Sequence, residues 1–299
     1  MRGSVVNQVQ TVFRSIIKFG ESKHQAKEEA RSSGAKTWHD VGKAINVYSY
    51  ATADSYRQIA IEVFSYAKEN FYVKDITKLE SQHINSYLES KIEAGVKYST
   101  FQKYAAGCEK LQVALERYTN QKYNFDLTES RELAQKVLER TDAHRAYSDP
   151  QKLVNAIQDK TYRILAGAQL TGGFRIHELN HLKISQFSDS NQSVIVQGKG
   201  GKIREIELNE KVYSELKAIV EKSDNQKLVF NANLYRNELK SAAQATGQGY
   251  NGSHGLRWNY AQSLFKELQE AGKTYEQSLF IVSHALGHNR ADITEHYLR

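Results

Sequence analysis

The sequence predicts a mainly helical chain with one small antiparallel β-sheet, an α+β fold in two domains. Three observations carry this. Apolar residues recur at helical spacing through the first 140 positions. In the second half, a glycine-rich turn, Gly198-Lys199-Gly200-Gly201-Lys202, separates two short runs rich in β-branched residues. The only proline, Pro150, follows Ser148-Asp149, a good helix start, and the polar stretch 140–145 lies just before it. The boundary is therefore read there, with domains at 5–140 and 147–299.

In the first domain, Val5, Val9, Val12, Phe13, Ile16 and Ile17 mark one apolar stripe. Tyr56, Ile59, Ala60, Val63, Phe64 and Ala67 mark a second. Ile84, Tyr87 and Leu88 lie on a helix after Ile76-Thr77. Ser99-Thr100 opens a long helix through Tyr104, Cys108, Leu111, Ala114, Leu115 and Tyr118, and Leu133, Val137 and Leu138 mark the last. Residues 5–45 read either as a separate arm or as part of this bundle. Met1 to Ser4 reads as a vector-derived leader and is left out of the fold reading. In the second domain, residues 153–170 read as a buried helix, 193–197 and 203–208 as strands, and Leu228-Val229-Phe230 as a third strand. Helices resume from Asn231.

Composition narrows the function classes. Lys plus Arg number 41 against 34 Asp plus Glu, giving +7 and a pI near 9.1. The excess is spread along the chain, +4 up to residue 140 and +3 beyond. Such a balance favours a polyanionic partner without specifying one. The single cysteine, Cys108, excludes an internal disulfide and a cysteine-rich zinc module, and reads as a core residue. No run of about 18 apolar residues is present, so no membrane-spanning helix and no membrane partner is expected. A secretory leader is not read either.

Four segments carry chemistry. They are Thr171-Gly172-Gly173-Phe174-Arg175-Ile176-His177-Glu178-Leu179, the Lys199 hairpin, Ser253-His254-Gly255-Leu256-Arg257, and Leu286-Gly287-His288 with Tyr297 nine residues after the histidine. Taken singly, each has an ordinary explanation: a solvated arginine, a hairpin lysine, one tyrosine among 18. In this order they resemble the tyrosine site-specific recombinases, which include phage-type integrases and Xer-type chromosome-dimer resolvases. The motifs cover roughly residues 147–299. The helical first domain is similar more loosely, to the family's core-binding domain.

The resemblance implies an enzyme that breaks and rejoins DNA through a 3′-phosphotyrosine. Guanidinium is planar, permanently charged and bidentate toward phosphate, so Arg175 and Arg257 are expected to clamp the scissile phosphate. Lys199 is the expected acid for the leaving 5′ oxygen, with Lys202 its competitor. Tyr297 is the expected nucleophile. His254 is expected to take the phenolic proton or to bond a phosphate oxygen, and His288 to donate to the other non-bridging oxygen. Which histidine acts as base stays open. Glu178, one helical turn after Arg175, is expected to orient the site. Lys202, Arg204, Lys97 and Lys103 are expected to contact DNA phosphates. Double-stranded DNA carrying a specific site is the implied partner, with a homotetramer on DNA, strand exchange through a Holliday junction, and no cofactor or metal. A prokaryotic, nucleoid-associated setting in the cytoplasm is implied too. The target sequence, the accessory proteins and the biological outcome are not read.

Alternatives are a type IB topoisomerase with the same chemistry, or a silent DNA-binding protein on the same fold. His284 and His288, four apart, suggest a zinc site, but the HExxH glutamate and a third ligand are missing. The Lys199 loop lacks the GxxxxGK[ST] pattern and runs into a strand, which argues against nucleotide hydrolysis. Three departures from the family pattern stand out, one of them a long stretch between Arg257 and His288, through residues 269–275, read as an extra loop. Gly172 replaces the usual threonine. The chain also stops two residues past Tyr297, where relatives commonly continue into a helix that docks on a neighbour, so a shortened chain or a different subunit coupling is expected.

Overall fold

A computed structural model describes residues 1–140, 144–198, 203–288 and 291–298, with the side chains of 291 and 292 left aside. The chain divides into two compact units, Met1–Asp142 and Ala143–Arg299.

The first unit is helical: α1 (Val5–Phe13), α2 (Lys23–Ser32), α3 (Trp38–Ala44), α4 (Tyr50–Phe71), α5 (Ser81–Glu93), α6 (Tyr98–Thr119) and α7 (Thr128–Val137). Side chains of Ser4, Ser22, Thr37 and Ser49 accept from backbone N–H groups at the starts of α1 to α4, satisfying donors that have no partner within the helix. Ser4 caps α1, and the Met1 ammonium pairs with Asp75. The long helices α4 and α6 pack together and against α1 and α5. Their apolar stripes meet in one core that contains Val12, Phe13, Phe64, Leu88, Phe101 and Leu111. Burying each such side chain stabilises the unit by about 1.5–3 kcal/mol. Cys108 is fully buried in that core, and burial pushes its thiol pKa up. Gly107 permits the close approach of α6 to α4, since a Cβ there would come 2.6 Å from Ile59 Cγ2.

Residues 5–45 serve two purposes. α1 is part of the main core, whereas α2 and α3 bury a satellite cluster of Ala30, Val41 and Ile45. The satellite returns to the bundle where Ile17 and Val47 form a parallel bridge. Lys110 of α6 closes it. Its buried amine donates to Gly42 O at 2.7 Å and Ile45 O at 3.0 Å, capping the carbonyl end of α3. Burial, reinforced by Arg117 and Lys23, pushes the Lys110 pKa down to about 8.

The second unit contains α8 (Pro150–Ala156), α9 (Lys160–Gly172), α10 (Ile176–Leu179), β1 (Phe187–Ser188), β2 (Ser193–Gln197), β3 (Ile203–Glu207), α11 (Glu210–Glu221), α12 (Ala232–Ala245), α13 (Gly252–Glu270), α14 (Tyr275–Ala285) and α15 (Ala291–Leu298). Pro150 occupies the first turn of α8 with Asp149 as its N-cap. The architecture is mainly helical with one three-stranded antiparallel sheet, ordered β1-β2-β3. β2 and β3 pair with Val194 opposite Ile206 and Val196 opposite Arg204. Two-residue alternation turns Val194, Val196 and Ile206 inward, while Ile195 and Ile203 face out. The third strand is Phe187–Ser188, not Leu228–Phe230. Leu228 exchanges backbone bonds only with Leu182 and His181, beside an isolated Lys183–Lys227 bridge, so no ladder can grow there.

α9 is the buried spine, with α11 and α13 packed against it. α13, α14 and α15 pack on one another. Among the described residues no helix is long and apolar enough to cross a membrane.

Candidate active site

The site is assembled where four chain ends meet. The first is the end of α9. Gly173 takes φ +62°, the left-handed conformation that lets a helix stop and turn. Buried Gln169 then holds the turn: its Nε2 donates to Phe174 O at 2.9 Å, and its Oε1 accepts from Tyr235 at 2.6 Å. Phe174 is fully buried, which leaves Arg175 at the N-cap of α10, facing the site.

Glu178 stands three residues on, at the same helix start. Its Oε2 accepts from the Arg175 backbone N–H at 2.6 Å and its Oε1 from Arg175 Nη1 at 2.8 Å. Arg204 of β3 completes the group with a two-pronged pair, Nη1 to Oε1 at 3.0 Å and Nη2 to Oε2 at 2.8 Å. Burial opposes charge on Glu178. The Arg204 guanidinium outweighs it, together with the Arg175 N–H and guanidinium, and the carboxyl sits below its ordinary pKa.

The second end is the first turn of α13. Asn259 fixes this helix to the chain entering the unit, exchanging two hydrogen bonds with the Tyr147 backbone at 2.9 and 2.8 Å. Gly255 lies under that segment, because a Cβ would meet Arg145 O at 2.6 Å. His254 and Arg257 project from the turn three residues apart, on one face. Arg257 is completely buried and donates to Gly173 O and Leu286 O. Burial, followed by the charges of Arg175 and Arg204, pushes its pKa down to about 10.

The third end is the close of α14. Leu286 O accepts from Arg257 and, at 3.2 Å, from Arg175 Nη2, so one carbonyl aligns both guanidinium groups. Gly287, at φ +67°, turns the chain and presents His288, whose Nδ1 lies 3.0 Å from Thr294 Oγ1. The fourth end is α15, which carries Tyr297. Its hydroxyl is 2.8 Å from His254 Nε2, and its ring lies 5.2 Å from His288 and 5.1 Å from Trp258, centroid to centroid. Tyr297 is 7% exposed.

Burial, then Arg257, Arg145 and Arg175, push the His254 pKa down to about 4. Burial, then Arg257, Arg175, Arg204 and His254, push His288 down to about 3. Both imidazoles are therefore neutral at pH 7 without an anion present. With its ring proton on Nδ1, a neutral His254 accepts a hydrogen bond from the Tyr297 hydroxyl on Nε2. Three guanidinium groups against one carboxylate leave the site about two charges positive, suited to an anionic ester.

The structure thus brings together Arg175, Glu178, His254, Arg257, His288 and Tyr297. Lys199 and Lys202 lie outside the described residues. Lys97 and Lys103 are exposed near the start of α6 in the first unit. Arg204 departs from the expected surface contact to DNA: its side chain is 4% exposed and is committed to Glu178. Strand alternation carried the signal, since Arg204 shares a face with buried Ile206. His284 and His288 do not share a site: His284 stacks on Phe280, and His288 faces Tyr297. The sequence reading also missed Trp258 under the phenol, which has no motif of its own, and the role of the Leu286 carbonyl, Leu286 having entered only as part of the Leu286-Gly287-His288 segment.

Comparisons with known proteins bear on the fold and the family. Solved structures that share the fold include two that are similar over nearly the whole chain. The XerH site-specific recombinase bound to palindromic difH substrate, a post-cleavage complex, is 17% identical, with a TM-score of 0.68 over 100% of this chain and 94% of that one. The Tn1549 transposon integrase in complex with transposon right end DNA is 14% identical, with a TM-score of 0.60 over 93% and 95%. No curated protein gives a significant sequence match. The model of the phage integrase family matches residues 136–299, more than half of the sequence and all four of the segments that build the site. On that match the chain belongs to the phage integrase family of tyrosine recombinases.

Proposed function

We propose that this chain cuts and rejoins duplex DNA at a specific sequence, with residues 147–299 as the catalytic domain and 5–140 as a DNA-binding domain. The observation that carries the proposal is the Tyr297 hydroxyl, 2.8 Å from His254 Nε2 and beside two arginines aligned by one carbonyl. In the forward step the Tyr297 oxygen attacks the scissile phosphorus. The O–P bond forms as the P–O5′ bond breaks, and His254 receives the phenolic proton. Arg175 and Arg257 hold the non-bridging oxygens, joined by His288, and offset the charge that builds in the pentacoordinate transition state. Lys199 supplies the proton that leaves with the 5′-hydroxyl. One phosphodiester has replaced another, so an incoming 5′-hydroxyl reverses the step without nucleotide or metal. The nucleophile acts in the same chain that holds its base. Four protomers bring two sites together and exchange strands in pairs through a Holliday junction. Lys97, Lys103 and Lys202 contribute phosphate contacts, which give affinity without reading sequence.

The test is covalent trapping. A pool of randomised duplexes is nicked so that cleavage releases a short fragment and strands the protein on DNA. The expected result is an adduct on one short motif, lost in Tyr297→Phe although DNA binding persists. An adduct on every duplex, with relaxation of any supercoiled plasmid, would instead make the protein a type IB topoisomerase. DNA binding with no adduct would make it a silent binder. A band from Tyr297→Phe would remove Tyr297 as nucleophile.

A further inference from the structure

We infer that Arg204 is a positioning residue of the cleavage site, holding Glu178 so that Arg175 stays free to engage phosphate; the inference rests on the phosphodiester-cleaving function proposed above. A carboxylate offers about four acceptor positions. In Glu178 all four are taken: two by Arg204, one by the Arg175 backbone N–H and one by Arg175 Nη1. Arg175 therefore gives Glu178 a single side-chain bond and turns its Nη2 to Leu286 O, alongside Arg257. Without Arg204, two acceptor positions open on a buried carboxylate whose nearest remaining cation is Arg175. A two-pronged Arg175–Glu178 pair would then form, drawing the guanidinium away from the phosphate and cancelling its charge.

Arg204 also ties the site's segments together. Its Nη2 reaches Gly173 O at 3.4 Å, the carbonyl that Arg257 also uses. A Cβ at Gly287, the residue before His288, would lie 3.2 Å from Arg204 Nη1 and 3.3 Å from its Cδ. One side chain thus lies against the end of α9, the start of α10 and the turn after α14. It extends from β3, the strand that follows Lys199 in the sequence.

A residue that merely holds the fold would slow cleavage of every substrate alike. A residue that keeps Arg175 available matters only while the phosphate carries its charge. The probe is the duplex captured by covalent trapping, made with its ordinary scissile phosphodiester or with a neutral methylphosphonate there. Arg204→Lys keeps a cation but loses the fork. Arg204→Gln removes the charge, and Glu178→Gln/Arg204→Gln removes the carboxylate that would capture Arg175.

For the phosphodiester, Arg204→Lys is expected to form adduct about 10- to 100-fold more slowly, the scale known for residues that orient metal-ligating side chains and taken here for a residue that orients a phosphate-binding arginine. DNA affinity and Tm should stay near wild type. On the methylphosphonate the loss should shrink to a fewfold. The double variant should recover at least about tenfold over Arg204→Gln; if Arg204→Gln does not fold, the Arg204→Lys comparison stands alone. Equal losses on both substrates, or a wild-type rate in Arg204→Lys, overturn the role given to Arg204. Failure of the wild-type protein to form any adduct overturns the proposed function instead, so the two failures are distinct.

Discussion

Gly173→Ala perturbs the junction on which the site is built. Gly173 sits at φ +62° at the end of α9, and its carbonyl receives Arg257 and Arg204. Two costs follow. An alanine in the left-handed region costs about 1–2 kcal/mol. The new Cβ also lands 2.7 Å from Tyr260 Cε1 and closer still to Cδ1. Overpacking of this kind costs about 1–3 kcal/mol more, because the ring must move. The second unit should therefore lose about 2–5 kcal/mol. Tyr260→Ala removes the obstacle, so adding Gly173→Ala to it should cost only the backbone share, about 1–2 kcal/mol. The assay is urea denaturation followed by Trp258 fluorescence in a Trp38→Phe background, which leaves one reporter in the second unit. A loss below about 1 kcal/mol, or the same loss with and without the Tyr260 ring, would refute the reasoning; both thresholds follow from the backbone figure.

Other outcomes follow from the same structure. His254 and His288 have folded pKa values of about 4 and about 3, below the 6.5 of an unconstrained histidine. The unfolded chain thus binds more protons between pH 4 and 6.5, and the DNA-free stability that depends on these two neutral histidines falls as pH drops through that window. Thermal denaturation from pH 4 to 8 should show this slope, and His288→Asn should make it shallower while leaving the His254 share; a Tm unchanged down to pH 4.5 would dismiss the account. Lys110→Met removes the cap from Gly42 O and Ile45 O at a cost of about 1–3 kcal/mol. Amide exchange should speed up across residues 41–46 while α4 and α5 keep their protection, and uniform loosening of the whole unit would count against a local cap. Tyr297→Phe and the Arg204 variants, described above, complete the set.

Much of the fold was legible because its signals are local. The stripe of Ile59, Val63 and Phe64 needs only a 3.6-residue period, and Asp149-Pro150 needs only the chemistry of a helix start. The two strands around the Lys199 hairpin fell where alternation and glycine put them. Leu228–Phe230 misled because a short apolar run looks the same with or without a ladder; here only Leu228 is buried, Val229 is exposed, and the neighbouring backbone belongs to Leu182 and His181. Arg204 misled because a cation beside a hairpin reads as surface unless a buried carboxylate is known to face it.

The order of the motifs, the residue types able to bind and cleave a phosphate ester, and the helix starts and turns that present them are all written within short stretches of chain. Their convergence is not. Arg175 meets Leu286 across 111 positions, Tyr297 meets His254 across 43, and Arg204 meets Glu178 across 26. Such meetings depend on how α9, α13, α14 and the sheet bury their apolar faces against one another. Packing of that kind is a property of the whole core, and it alone set Arg204 against Glu178, made His254 the partner of Tyr297 and gave both arginines one carbonyl.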